Sequence, residues 1–195
     1  WNGGEINPTL LNHWEGAYWN FTTETLLRMI DDAAEMGLEM FVLDDGWFAQ
    51  DHPRNDEKAG LGDWEVNRNK LPEGVDYVAS YAHSKGLKFG IWIEPEMVNP
   101  DSNLAKEHPQ WVVQSPGREI YQQRCQWLLD LTNPKVQDFV FDVFDRTLSL
   151  SPNIDYVKWD SNRVLTENFS LGLDADCQQE FHTRWTLGLY DIFER

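Results

Sequence analysis

The sequence predicts an α/β fold in which this chain supplies about the first four βα units of a (β/α)8 TIM barrel. Four short apolar segments alternate with four segments of helical periodicity, and the long polar loops follow the predicted strands. No GxGxxG or Walker motif indicates a doubly wound nucleotide-binding sheet. Because a whole barrel needs eight such units, we expect residues 1–195 to be one partial barrel domain of a longer protein.

The first two predicted strands flank an amphipathic helix. The first strand is predicted at Pro8–Trp14 and the second at Leu38–Asp44, where apolar residues are concentrated. Between them, Thr22 is placed to cap a helix and Gly37 to end it. The apolar face of this helix consists of Leu26, Leu27, Ile30, Ala33 and Ala34.

The third strand follows a second helix of the same kind. A long polar loop leads to this helix, which ends at Gly86, and the strand is predicted directly afterwards at Leu87–Ile93. The inward face of the helix consists of Val75, Val78, Ala79 and Ala82.

The fourth strand lies between the last two predicted helices. Asn133 and Pro134 form a cap and first-turn proline at the start of the first of these helices. The strand is predicted at Ile154–Asp160, and the final helix at about Asp176–Glu194. The apolar face of the helix that begins at Pro134 consists of Val136, Phe139, Val140, Val143, Phe144 and Leu148.

The composition excludes several classes of partner. With 33 acidic and 16 basic residues the formal charge is -17, which repels nucleic acid and anionic lipid. No run of about 18 apolar residues could span a bilayer. Cys125 and Cys177 are the two cysteines, too few for a disulfide framework, so the compartment stays undetermined. Ten tryptophans, several of them beside acids, favour a neutral sugar ligand that stacks on an indole.

Acidic residues follow three of the predicted strands, in LEMFVLDDGWF, LKFGIWIEPEM and IDYVKWDSNR. A partly buried carboxylate such as Asp160 is costly unless cations or donors compensate, and Lys158 and Asn162 are close enough in sequence to do so. Since active sites of α/β barrels lie at the carboxyl ends of the strands, we expect one shared site. The candidate residues at these ends are Trp14, Glu15, Asp44, Asp45, Trp92, Glu94, Lys158, Asp160 and Asn162.

This set of acids, aromatics, an amide and an amine suits a polyhydroxylated ligand. A divalent-metal site on Asp44 and Asp45 is the competing interpretation. The five histidines are scattered, and only His13 lies near a strand end, where a structural role is the simpler prediction. Hydrolysis of a glycosidic bond needs two carboxyl groups, and spacing alone does not identify which two.

Five motifs in one order carry a specific resemblance: NHWE, VLDDGWF, LGDWEVNRNKLPEG, GIWIEPEMVNPDS and DYVKWDSNR. Together they resemble glycoside hydrolase family 36 α-galactosidases from about Leu10 onward. Related barrels of the same clan usually carry a cysteine in place of Gly46, which favours family 36 over family 27. The resemblance implies a retaining enzyme that removes terminal α-galactosyl residues through a covalent galactosyl intermediate, without metal or organic cofactor.

The resemblance also implies roles for individual residues. Asp160 matches the catalytic nucleophile, and Lys158 and Asn162 match residues that bind sugar hydroxyls, Asn162 at the 2-hydroxyl. Asp44 and Asp45 match residues that bind the 4- and 6-hydroxyls. The remaining matches are Trp14 and Trp92 as walls of the galactose pocket, Arg124 facing the pocket, Asp63 and Trp64 at the rim or in loop packing, and Glu94 and Glu96 orienting Trp and Arg side chains.

Two substitutions and one absence separate the chain from the family pattern. Cys125 stands where members often have Asn, and Ser161 where they often have Met. The acid/base Asp of the family lies on a later strand, beyond Arg195. A chain without it is expected to bind sugar but to turn over poorly, because a retaining glycosidase needs two carboxyl groups about 5 to 5.5 Å apart.

Three alternative functions remain open at this point. The first is an α-N-acetylgalactosaminidase or galactosyl transferase of the same clan. The second is a non-catalytic galactose-binding fragment, and the third is a metal-dependent hydrolase or lyase that uses Asp44 and Asp45. The expected partners are a galactose-containing oligosaccharide and the remainder of the barrel, and family members are commonly homotetramers or dimers.

Overall fold

A four-stranded parallel sheet organises the computed structural model, which describes residues 6–195. Strands β1, β2, β3 and β6 are neighbours in that order, and β4 pairs with β5 in a small antiparallel ribbon. The ribbon was not predicted from the sequence, because strands of two residues leave no periodic signal. In chain order the strands are β1 (Leu10–Asn12), β2 (Met40–Leu43), β3 (Lys88–Ile93), β4 (Met97–Val98), β5 (Trp127–Leu128) and β6 (Tyr156–Trp159).

Helices precede or follow each strand of the sheet, and none of the described helices is long and apolar enough to cross a membrane. The predicted caps are confirmed: Thr22 accepts a hydrogen bond from Thr25 N, and Asn133 accepts one from Lys135 N in front of Pro134. The helices are α1 (Trp14–Ala17), α2 (Thr23–Glu35), α3 (Val75–Ser84), α4 (Asn103–Glu107), α5 (Pro134–Leu148) and α6 (Phe181–Phe193).

Two predicted boundaries were wrong for local reasons. Trp14 begins α1 instead of ending a strand, because the Asn12 side chain accepts a hydrogen bond from Trp14 N and turns the chain. The last helix begins at Phe181 instead of Asp176. The Gln178 side chain bonds three backbone groups of the loop 170–173, and Gln178–Glu180 form a short 3-10 helix in front of Phe181.

The core lies on both sides of β2 and β3, whose apolar residues are buried. Helices α2 and α3 pack against one side of these strands, and α5 and α6 pack on each other. All three strand pairs of the sheet are parallel, as the barrel prediction requires. Within residues 6–195 the sheet ends at β1 and β6 and is not closed into a barrel. The fold prediction is therefore confirmed for the four βα units only.

Candidate active site

The carboxyl ends of β1, β2, β3 and β6 surround one polar pocket. All eight residues that were predicted to bind substrate or to act in catalysis line this pocket, although they come from five separate segments of the chain. Arg54 and Glu94 complete the lining. The full set is Trp14, Asp44, Asp45, Arg54, Trp92, Glu94, Arg124, Lys158, Asp160 and Asn162.

Asp160 follows β6 and is the half-buried carboxylate of the pocket, with its side chain 35% exposed. Its Oδ2 accepts a hydrogen bond from Trp92 Nε1 at 3.2 Å and lies 3.6 Å from Lys158 Nζ. Burial raises the pKa of Asp160, but hydrogen bonds from Asn162, Trp92 and Lys158 outweigh it and hold the pKa below its usual range. Asp160 is therefore ionised at neutral pH, and it lines the pocket.

Lys158 links Asp160 to Asp44. Its Nζ donates to Asp44 Oδ2 at 2.9 Å, an oxygen that also accepts from Asn12 Nδ2 at 2.5 Å. Burial lowers the pKa of Lys158, but its pairing with both carboxylates outweighs burial and raises the pKa overall. The ammonium stays charged and fixes the relative position of the β2 and β6 ends.

Asp45 is held by a buried guanidinium. Arg54 Nε lies 3.0 Å from both carboxylate oxygens of Asp45, and Trp19 Nε1 donates to Oδ2 at 2.9 Å. The side chain of Arg54 is 1% exposed and also donates to Ala59 O. Burial raises the pKa of Asp45, and the Arg54 guanidinium and Trp19 indole oppose that shift. Sequence reasoning missed Arg54, since a loop arginine without periodicity gives no signal that it folds back.

Lys70 fixes the turn that follows this acidic pair. Its Nζ donates to the carbonyl oxygens of Trp19, Gly46 and Arg54 at 2.9 to 3.0 Å. Gly46 has φ 108°, and a Cβ there would lie 3.0 Å from Trp19 Cδ1. The turn therefore favours glycine at this position.

Glu94 and Glu96 lie beneath the end of β6. Glu94 Oε1 accepts a hydrogen bond from Asn162 N at 2.8 Å, and Glu96 Oε2 accepts one from Trp159 Nε1 at 2.6 Å. The contact of Glu96 with Trp159 agrees with the expected role of orienting a Trp side chain. Glu94 holds the Asn162 backbone and not an Arg side chain, because it faces β6.

The indole of Trp92 forms a rigid wall of the pocket. It is stacked on Phe48 with ring centroids 5.9 Å apart and an interplanar angle of 6°, and its backbone carbonyl accepts from Trp47 Nε1. Trp14 packs edge-on against Trp19 at 4.8 Å. The packing of each ring on another aromatic side chain limits its rotation.

His13, Asp63 and Trp64 make contacts that stabilise the fold. His13 is fully buried, and its Nδ1 accepts from Asp44 N; burial lowers its pKa to about 4, so it is neutral. Asp63 accepts hydrogen bonds from Asn103 N at the start of α4, and Trp64 is stacked on Phe48. Asp63 and Trp64 lie outside the pocket lining, so of the two predicted roles the packing role fits.

The pocket acids are already paired with cations or donors, and in the part of the chain that the structure describes no group of three or more His, Cys, Asp or Glu is arranged to hold a metal ion. What remains is a small pocket with an ionised carboxylate, fixed cations and indole walls. Such an arrangement can bind several hydroxyl groups and present one nucleophilic oxygen.

Residues 3–195 match the sequence profile of the Melibiase family. The chain belongs to the Melibiase family. Among its relatives, α-galactosidase 1 of Pediococcus pentosaceus is 44% identical over 188 residues, which are 96% of this chain and 25% of that protein. The chain thus spans about a quarter of the length of the curated relatives it matches.

Solved structures agree with the family. The α-galactosidase of Lactobacillus brevis superimposes with a TM-score of 0.94 at 40% identity, covering 100% of this chain and 26% of that one. A GH36 α-galactosidase of Geobacillus stearothermophilus in complex with raffinose has a TM-score of 0.92 at 41% identity, covering 96% and 26% of the two chains. The family resemblance read from the motifs is confirmed.

Proposed function

We propose that this chain is part of a retaining α-galactosidase that removes terminal α-galactosyl residues from oligosaccharides by double displacement. The observation that carries the proposal is the ionised Asp160, held by Lys158 and Trp92 at the carboxyl end of β6 inside a polar pocket. Relatives that are 43 to 44% identical to this chain are named α-galactosidases, and structures of one of them contain raffinose or stachyose.

Asp160 is the proposed nucleophile. Its carboxylate attacks the anomeric carbon of the galactosyl group while the bond to the leaving oxygen breaks, giving a galactosyl ester that water then hydrolyses. Trp92 and Lys158 keep the carboxylate charged and fixed in direction before attack. Asn162, which also bonds Asp160, is proposed to bind the 2-hydroxyl, an interaction that strengthens as positive charge develops on the ring.

The opposite side of the pocket is proposed to select galactose. Asp44 and Asp45 have fixed positions because Lys158 and Arg54 hold them, and they supply acceptors for the 4- and 6-hydroxyls. Trp14 and Trp92 are proposed as the apolar walls, and Arg124 as a further hydrogen-bond donor to the sugar. The preference over glucose would come from the 4-hydroxyl, which differs in configuration between the two sugars.

The proton donor is proposed to lie outside this chain, on the part of the barrel that the relatives contain and this sequence does not. Glu94 has the raised pKa of a general acid, but it is 1% exposed and accepts from the backbone of Asn162. A proton donor must reach the leaving oxygen, so Glu94 is assigned a positioning role.

The test compares the longer protein that contains this chain with its Asp160→Asn variant on a nitrophenyl α-galactoside, each measured with and without chelator. We expect the unaltered protein to hydrolyse the substrate and the variant to lose about three orders of magnitude or more in kcat. Galactose binding without hydrolysis by the unaltered protein would favour the binding-fragment alternative. Loss of the unaltered activity with chelator would favour the metal-dependent alternative.

A further inference from the structure

Arg124 lies at the tip of a tight turn between Gln123 and Gln126, whose backbone groups pair at 3.1 and 3.3 Å. The backbones of both residues at the tip lie in the left-handed region, with φ 55° for Arg124 and 58° for Cys125. This region disfavours side chains with a Cβ. The turn that presents Arg124 to the pocket therefore depends on contacts from the rest of the fold to keep its shape.

Two buried side chains supply those contacts: Arg163 Nη1 donates to Gln126 O at 3.2 Å, and the amide of Asn99 holds the tip of the turn. Asn99 is 0% exposed, and its Nδ2 donates to Cys125 O and Glu57 O, each at 2.9 Å. Its Oδ1 accepts from Leu61 N at 2.9 Å. Every hydrogen of the amide group is thus used, and a single side chain joins the turn of Arg124 to the loop that follows β2.

That same loop carries the partner of the Arg124 side chain. Glu57 Oε1 accepts from Arg124 Nη2 at 3.0 Å and from Arg124 Nε at 3.3 Å. The two side chains are 36% and 41% exposed, so the pair by itself would be weak and mobile. Asn99 removes much of this freedom, because it fixes the backbones on both sides of the ion pair.

We propose that Asn99 and Glu57 are positioning residues that together hold Arg124 over the pocket. Asn99 fixes the left-handed turn, and Glu57 fixes the direction of the guanidinium. Neither residue lines the pocket, so each acts on the substrate only through Arg124. The kinetic consequence rests on the proposed α-galactosidase function, whereas the structural consequence does not.

The kinetic test is a double-mutant cycle of Glu57→Gln and Arg124→Ala in the longer protein, measured on a nitrophenyl α-galactoside. We expect Glu57→Gln to raise KM about three- to tenfold while kcat changes less than about twofold. In the Arg124→Ala background the same substitution should change KM less than about 1.5-fold. Asp56→Asn removes the same charge from the neighbouring position and should leave KM unchanged. Equal effects of Glu57→Gln in both backgrounds would overturn the role of Glu57.

The structural test uses Cys125 as a probe of the turn. Labelling by a thiol reagent, followed at the peptide that contains Cys125, is expected to be about tenfold faster in Asn99→Ser, because opening of the turn becomes easier. Asn103→Ser is the matched control, since its side chain does not contact the turn. Unchanged labelling in a folded Asn99→Ser protein would overturn the role of Asn99.

The two failures are distinguishable. An unaltered protein that hydrolyses no α-galactoside contradicts the proposed function, and the labelling of Cys125 still decides whether Asn99 holds the turn. An active protein with an additive cycle contradicts only the positioning by Glu57. If Asn99→Ser does not fold, Asn99→Asp takes its place in the labelling test, because it keeps the acceptor for Leu61 N and the size of the side chain but loses both donors to the turn and the loop.

Discussion

At the scale of single residues, Asp45 and Arg54 form the most buried ion pair around the pocket, with side chains 7% and 1% exposed. Replacing Arg54 by Met would leave the Asp45 carboxylate buried without its cation. We expect Arg54→Met to lower the free energy of unfolding by about 3 to 5 kcal/mol. The measurement is the midpoint of thermal or urea unfolding.

Arg68→Met is the control for Arg54→Met, because Arg68 lies on the same polar loop but is exposed. We expect a change within about 0.5 kcal/mol for this surface position. Equal destabilisation by the two substitutions would contradict the importance of the buried pair.

The buried carboxyl groups of Glu94 and Glu96 should make the protein less stable as the pH rises. Burial raises the pKa of Glu94 to about 8, with a contribution from the Glu96 charge, and burial raises that of Glu96 to about 7. Both pKa values exceed the ordinary value of 4.5, so the folded state binds these protons more tightly than the unfolded chain. Stability therefore falls once pH rises above the unfolded pKa, and the fall ends above the folded pKa values.

Glu94→Gln tests this dependence directly. The variant should lose less stability than the unaltered protein between about pH 5 and pH 8, with a slope smaller by about 1.4 kcal/mol per pH unit. It should also keep most of the activity, because the amide oxygen can still accept from Asn162 N. A loss of about a hundredfold or more in kcat would instead identify Glu94 as a proton-transfer group.

At the scale of elements, the turn that carries Arg124 uses Cys125 in a left-handed conformation. Asn adopts this conformation more readily than other residues with a side chain. We expect Cys125→Asn to stabilise the protein by about 0.5 to 1 kcal/mol, measured as a rise in Tm. The control is Cys177→Asn, at a residue with φ -93°, which should give no gain. A gain at both positions would point to removal of a thiol and not to relief of the turn.

The sequence predicted strand-end residues better than loop residues. Asp44, Trp92 and Asp160 could be assigned to one pocket, since parallel strands bring their carboxyl ends to the same edge of the sheet. Trp14 lines the pocket although its secondary structure was predicted wrongly, because α1 begins at the edge of the sheet where the strands end. The contacts of Arg54 and Asn99 depend on how long loops fold back, and no periodicity encodes that.

At the scale of the whole molecule, the sheet is protected in its middle and open at its sides. Strands β2 and β3 are buried, with the exception of Lys88, whereas Tyr156 in β6 is 43% exposed and Leu10 in β1 is 45% exposed. Purely parallel sheets are stable when both faces and edges are covered. The chain is a quarter as long as its relatives, whose remaining parts would supply that cover in the proposed longer protein.

This arrangement predicts the behaviour of residues 1–195 expressed alone. The open edges should pair with other copies, and the lack of the proposed proton donor should reduce hydrolysis of a nitrophenyl α-galactoside below about a thousandth of the rate of the longer protein. Size-exclusion chromatography with light scattering measures the association, and addition of the separately produced remainder of the protein is the control that should restore activity. A monomer that unfolds cooperatively and hydrolyses at the full rate would contradict both the open edges and the missing proton donor, because either defect alone would prevent one of these outcomes.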